Sequence, residues 1–168
     1  PDGWGIAIYP NGGKAVQIIK EPININHSYL ANHIVEKPID FVSKIYISHV
    51  RLKSSGKRAY QDTHPFSREL NGQDYCFAHN GTLKKAYKNA LKLGKFKPIG
   101  ETDSEYAFCY LMSFIENNIE NWNESSFSKL YNEFRRINEF GTFNCLFSDG
   151  EYLFCYNDAS GYNNLCCV

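Results

Sequence analysis

Trp4-Gly5-Ile6-Ala7-Ile8-Tyr9 followed by Pro10-Asn11-Gly12-Gly13 is the stretch on which the fold turns. Trp4, Ile6 and Ile8 alternate with Gly5, Ala7 and Tyr9, the period of a half-buried strand. The Pro-Asn-Gly-Gly run is a hairpin signal, and residues 14–20 supply the returning strand. A tight hairpin of alternating strands belongs to an antiparallel sheet with one covered face, not to a parallel doubly wound sheet.

The same logic extends along the chain. Residues 44–52 read as a strand with Ile45, Ile47, His49 and Arg51 on one face and Tyr46, Ser48 and Val50 on the other. Residues 74–79 read as another strand, running directly into Asn80-Gly81. At the far end, 142–148 and 151–156 form a hairpin about Asp149-Gly150. Helices separate these strands. Residues 28–35 place Tyr29, Leu30, His33 and Ile34 on one face, and 82–93 place Leu83, Ala86, Tyr87, Ala90 and Leu91 together, with Gly94 as a stop. The clearest helix covers 102–119, with Ala107, Phe108, Leu111, Phe114, Ile115 and Ile119 as its apolar stripe. A fourth covers 126–140, with Phe127, Leu130, Tyr131, Phe134 and Ile137. The expected class is α+β, antiparallel sheets layered with helices.

The 168 residues fit one domain, and 43% hydrophobic and 15% aromatic content can fill a core. Eighteen basic residues balance eighteen acidic ones, which argues against a general nucleic-acid binder. The apolar runs are far shorter than the roughly 18 residues of a membrane span. Of the six cysteines none forms C-x-x-C and no His stands at zinc-ligand spacing, so they read as reduced core residues in a cytoplasmic protein, with no metal and no cofactor. No phosphate-binding glycine loop and no G-x-S-x-G elbow is present.

Four polar segments stand at the ends of these elements, where a scaffold presents functional groups. Ser48-His49-Val50-Arg51 closes a strand on an arginine, which either grips a carboxylate or makes a structural ion pair. Thr63-His64-Pro65-Phe66 ends the long polar loop 52–65, which holds Ser54-Ser55-Gly56; His64 either lines a site or is a turn residue before proline. His79-Asn80-Gly81-Thr82 is either a plain turn or a pair of donors, the Asn80 amide and the Gly81 N–H, placed ahead of a helix and aimed at one oxyanion. Gly100-Glu101-Thr102-Asp103-Ser104-Glu105 is a capping box, in which Asp103 either complements the helix end or binds an ammonium. The lysines at 84, 85, 88, 92, 95 and 97 form a basic stretch, read as a solvated helix face or a dock for an acidic protein partner.

Taken in order, these segments with Asp2-Gly3-Trp4-Gly5-Ile6 resemble the class II glutamine amidotransferase domain, in particular its small stand-alone members; Phe147-Ser148-Asp149-Gly150 fits the later hairpin. The resemblance implies an N-terminal-nucleophile hydrolase fold, an αββα sandwich of two antiparallel sheets. It implies an N-terminal Cys that attacks the γ-amide of glutamine with its own α-amine as base. It implies Arg51 on the substrate α-carboxylate, Asp103 on the α-ammonium, Asn80 and Gly81 as oxyanion hole, and His64 lining the pocket. Pro1 offers no nucleophilic side chain, and internal cysteines have no free α-amine. The expectation is therefore a partial domain, inactive by itself, whose Cys lies upstream and whose last strands lie after Val168. Two other readings stay open: hydrolysis of γ-glutamyl peptides or other γ-glutamyl compounds, and a non-catalytic amino-acid-binding module.

Overall fold

The computed structural model describes residues 2–37, 42–52, 57–84 and 86–163. The loop motif Ser54-Ser55-Gly56, Lys85, and Cys166 and Cys167 lie outside them. Two compact units divide the chain, residues 1–78 with 146–154, and residues 79–145 with 155–168.

In the first unit, β1 (Gly3–Ile8) is the middle of a three-stranded sheet between β2 (Gln17–Glu21) and β3 (Tyr46–Arg51). Both pairings are antiparallel, with Ile6 opposite Ile19 and Ala7 opposite Ile47. The Pro10–Gly12 turn is a short 3-10 turn, with Asn11 and Gly12 at positive φ. The returning strand starts at Gln17, later than the sequence suggests, because residues 14–16 are bonded elsewhere. The Lys14 carbonyl accepts from the Asp74 N–H (2.9 Å), and the Val16 N–H donates to the Asp74 carboxylate (3.0 Å). β1 is covered on both faces rather than one: Ala7 and Tyr9 pack with Ile47 on Cys76 and Ala78, while Trp4 and Ile8 are buried too. The Tyr9 hydroxyl lies within hydrogen-bonding reach of the Asp74 and Ser148 carbonyls (3.1 and 3.0 Å), and burial pushes its pKa up.

β3 alternates as its sequence predicts, with Ile47 and Arg51 buried and Tyr46 and Val50 exposed. The helix α1 (Tyr29–Glu36) is capped by the Ser28 hydroxyl, which accepts from the Ala31 N–H and donates to Glu21. Its buried face is not the expected one. Ala31 is buried and Tyr29 is 92% exposed, because the Ser28 cap and its Glu21 anchor turn Ala31 inward. β4 (Phe66–Leu70) pairs antiparallel with the start of β5 (Gln73–Leu83) through the two-residue turn Asn71-Gly72. Both turn residues have positive φ, the signature of a type I′ hairpin.

The four-stranded sheet has the order β4-β5-β6-β7, with β6 at Gly141–Ser148 and β7 at Leu153–Tyr156. The second unit holds the end of β5, the start of β6, the end of β7, and the helices α2 (Tyr87–Ala90), α3 (Asp103–Asn118) and α4 (Glu124–Asn138). Helix α3 is buried well beyond one stripe, with Ala107, Phe108, Cys109, Leu111, Met112 and Ile115 at or below 1% exposure. Helix α4 opens on an Asn123–Ser126 capping box and buries Leu130, Phe134 and Ile137, leaving Tyr131 exposed. Phe134, Phe143 and Tyr156 cluster with ring centroids 5.6–6.2 Å apart.

The largest departure from expectation falls at 82–93. Among the described residues of this stretch only Tyr87–Ala90 is helical, and Asn80-Gly81 sits inside β5 rather than in a turn ahead of a helix. The backbone continues as strand because its donors are taken. The Thr82 N–H binds the Thr142 hydroxyl (2.9 Å), the Leu83 N–H binds the Asp103 carboxylate (2.6 Å), and the Lys84 N–H binds the Phe140 carbonyl (2.7 Å).

Asp158 ties down the end of the second unit. Its carboxylate accepts from the Asn138 amide (2.7 Å), the Phe143 N–H (2.7 Å), the Ser160 N–H (2.8 Å) and the Ser160 hydroxyl. Burial works against the charge, but hydrogen bonds from Ser160, Phe143 and Asn138 outweigh it and hold the pKa at about 2. A depressed pKa stabilises the fold above the unfolded value of about 3.9 and loses that effect as pH falls through about 2. Asp158→Asn should therefore cost about 1–3 kcal/mol at neutral pH. The gap to wild type, read by denaturant unfolding, should close between pH 4 and 2; a gap independent of pH would count against this role.

Candidate functional site

Each unit carries its own set of the residues singled out in the sequence. In the first, Arg51 ends β3 opposite Gly3, its carbonyl accepting from the Asp2 N–H (2.8 Å). Arg51 is 4% exposed, and its guanidinium donates to the Lys57 carbonyl (3.2 Å). The Lys57 N–H in turn donates to the buried Asp62 carboxylate (2.9 Å), which fixes the segment the guanidinium meets.

His64 is buried, with its ring 4.2 Å from that of His49 and 4.6 Å from that of Phe66. Its backbone is pinned from two sides. The Lys20 ammonium donates to the Thr63 and Pro65 carbonyls (2.7 and 3.0 Å), and Gly5 lies so close that a Cβ there would come within 2.3 Å of the His64 carbonyl oxygen. Gly5 is the register partner of Lys20, so one rung of the β1–β2 pairing fixes this loop. Lys20 has no signal in the sequence beyond its place in a strand.

In the second unit Asn80 is exposed on β5, beside the partly buried Gly81. Gly81 faces the backbone of β6: a Cβ there would lie 2.0 Å from the Thr142 carbonyl oxygen and 2.6 Å from both its carbon and the His79 Nε2. Asp103, the first residue of α3, is 7% exposed. Its Oδ2 accepts from the Leu83 N–H (2.6 Å) and its Oδ1 from the Ser104 N–H (3.0 Å). The Asn80-Gly81 stretch of β5 and the Asp103 carboxylate are thus joined by a bond two residues past Gly81. Asp103 also makes itself felt electrostatically. Burial, then this carboxylate, then Tyr106 push the pKa of Tyr87 up to about 12.

Helix α3 starts where its sequence predicts. Thr102 caps it by accepting from the Glu105 N–H (3.1 Å), and the Glu105 carboxylate reaches back to the N–H groups of Ile99 (3.0 Å) and Gly100 (2.7 Å). Glu105 therefore orders the loop leading to Asp103. The lysine stretch does not form a helix face. Lys84 and Lys92 lie outside α2, Lys88 stands over the rings of Tyr87 and Tyr106 (5.8 Å each), and Lys95 pairs with Glu116 (2.5 Å). Among the described residues no cluster of three or more His, Cys, Asp or Glu could hold a metal ion, and no helix is long and apolar enough to cross a membrane. Cys76, Cys109 and Cys145 are buried free thiols, and Cys155 is exposed.

The mixed α/β fold with antiparallel sheets is the fold of solved structures of the glutamine amidotransferase type. The family model of the class II glutamine amidotransferases matches residues 1–168, and the chain belongs to that family. Among its relatives, a protein of Methanocaldococcus jannaschii named only as uncharacterized is 49% identical over 98% of this chain and 45% of its own length. An Escherichia coli protein provisionally named glutamine amidotransferase YafJ is 37% identical over 92% of this chain and 60% of its own length. A crystal structure of a predicted glutamine amidotransferase from Pseudomonas aeruginosa PA01 superposes with a TM-score of 0.70 at 35% identity, covering 92% of this chain and 59% of that one. The chain spans about half the length of the curated relatives it matches.

Proposed function

We propose that the whole protein is a cytoplasmic hydrolase that cleaves the γ-amide of glutamine through a thioester on an N-terminal Cys outside this chain. The observation that carries the reading is the bond between the buried Asp103 carboxylate and the Leu83 N–H, which couples an anion to the Asn80-Gly81 stretch. An amino-acid substrate needs a fixed anion for its ammonium and separate donors at its reacting carbonyl. In this reading Asp103 holds the α-ammonium and Arg51 the α-carboxylate. His64 lines the pocket. The α-amine of the Cys takes the thiol proton, and the thiolate attacks the amide carbon. The Asn80 side-chain amide and the Gly81 N–H stabilise the oxyanion. Ammonia leaves with the proton, and water then releases glutamate from the thioester.

Two of the four described internal cysteines, Cys76 and Cys145, are unsuited to the nucleophile's role. Burial pushes the thiol pKa of Cys76 and of Cys145 upward, which removes the thiolate that attack requires. The reading is tested by assaying the whole protein for release of glutamate and ammonia from glutamine and from γ-glutamyl peptides, before and after a glutamine-analogue alkylator. Activity lost on alkylation of an N-terminal Cys is the expected result. No release from any γ-glutamyl substrate would overturn it. Release from peptides but not from glutamine would move the substrate while keeping the chemistry, since Arg51 and Asp103 read only the α-amino-acid end.

A further inference from the structure

His79 precedes the Asn80-Gly81 pair and has no role in the scheme above. The residue is 2% exposed, and its ring lies between the start of α3 and β6, with the Phe143 ring against it at 4.8 Å. Nε2 lies 3.2 Å from the Thr142 carbonyl oxygen, and Nδ1 lies 2.9 Å from the Ser104 hydroxyl. A carbonyl only accepts, so Nε2 carries the proton; Nδ1 is then a bare lone pair and accepts from Ser104. Each contact leads to a residue of the proposed site. The Thr142 carbonyl is the atom against which Gly81 packs, and Nε2 itself lies close beneath Gly81. Ser104 is the residue whose N–H donates to the Asp103 carboxylate.

We propose that His79 is a positioning residue, whose Nε2–H sets Gly81 against β6 and whose Nδ1 sets the Ser104–Asp103 start of α3. The inference rests on the glutaminase reading for its kinetic consequence, but not for its geometry. Burial lowers the pKa of His79 against the opposing pull of Asp103, consistent with a neutral ring that donates on one side and accepts on the other.

Two conservative variants of the whole protein divide the two jobs. In His79→Asn the side-chain oxygen stands near the place of Nδ1 and keeps the acceptor for Ser104, while the donor to Thr142 is lost. In His79→Gln the amide nitrogen reaches the place of Nε2 and keeps the donor, while the acceptor is lost. His79→Asn should lower kcat per titratable N-terminal Cys by about 10–100-fold, the scale of a small misplacement at a reacting centre, with KM for glutamine little changed. His79→Gln should retain most of kcat and raise KM. Equal losses in both variants, matched by a smaller titratable fraction, would reduce His79 to a packing residue and overturn the inference. The ring-nitrogen NMR spectrum of the wild-type protein is a second measurement that needs neither folding of a variant nor activity. An Nε2–H tautomer is expected, and an Nδ1–H tautomer would overturn the inference. A whole protein that releases no glutamate would instead sink the glutaminase reading and leave this spectrum to decide the role of His79.

Discussion

Asn80→Ala in the whole protein should lower kcat for glutamine hydrolysis by about 10²–10³-fold, the usual loss for one oxyanion-hole donor. The side chain of Asn80 is exposed and lies on a strand whose neighbouring backbone is bonded to β6 and to Asp103, so truncation removes a donor without opening the core. Thermal stability should stay within about 0.5 kcal/mol of wild type, as for a surface substitution away from packed features. KM should change little, because the oxyanion exists only in the transition state and not in bound glutamine. The measurement is kcat and KM for glutamate release, normalised to the Cys titrated by an alkylating glutamine analogue. Full activity in this variant would remove Asn80 from the reaction. A rise in KM at constant kcat would move it to ground-state binding.

The dipeptide Asn-Gly occurs three times in this chain, and its last two occurrences show how far a sequence can be read. Asn71-Gly72 makes the type I′ turn between β4 and β5, with both residues at positive φ and Leu70 opposite Gln73. Asn80-Gly81 resembles it in sequence but continues a strand. The difference comes from partners that are distant along the chain: Thr142 on β6 and Asp103 on α3 hold the donors of Thr82 and Leu83. Local propensity contains neither. The alternation in β3 and the Thr102 cap were legible, because a period of two and an N-terminal Thr-x-x-Glu are local signals. The inward face of α1 was not, since it depends on the Ser28–Glu21 contact with another strand.

The site follows the same division. Arg51, His64, Asn80, Gly81 and Asp103 stand out as polar residues at the ends of apolar elements, and the family resemblance gives each an expected role. The residues that hold them, Lys20 against the His64 segment and Ser104 and Thr142 about His79, are ordinary in sequence and gain meaning only from proximity. A supporting residue is chosen by where it lies in space, so it leaves little periodic or compositional trace.

Gly81→Ala carries the largest expected structural cost at the proposed site. The new methyl group would lie 2.0 Å from the Thr142 carbonyl oxygen and 2.6 Å from its carbon. Both are backbone atoms, which no rotamer change can move, so β5 and β6 must part locally. The variant should lose about 3 kcal/mol or somewhat more, the upper end of overpacking costs. Gly72→Ala is the control. Its φ is +75° and nothing lies within 4 Å of the added Cβ, so it carries only the left-handed penalty of about 1–2 kcal/mol. Denaturant unfolding of the two variants separates steric contact from backbone strain. A local shift of β5 also displaces the Gly81 N–H, so kcat per titrated Cys should fall at least as far as in Asn80→Ala, whereas Gly72→Ala should keep the wild-type value per site. A Gly81→Ala protein as stable as Gly72→Ala, with kcat intact, would mean that β5 yields at this point and that the close approach to Thr142 positions nothing.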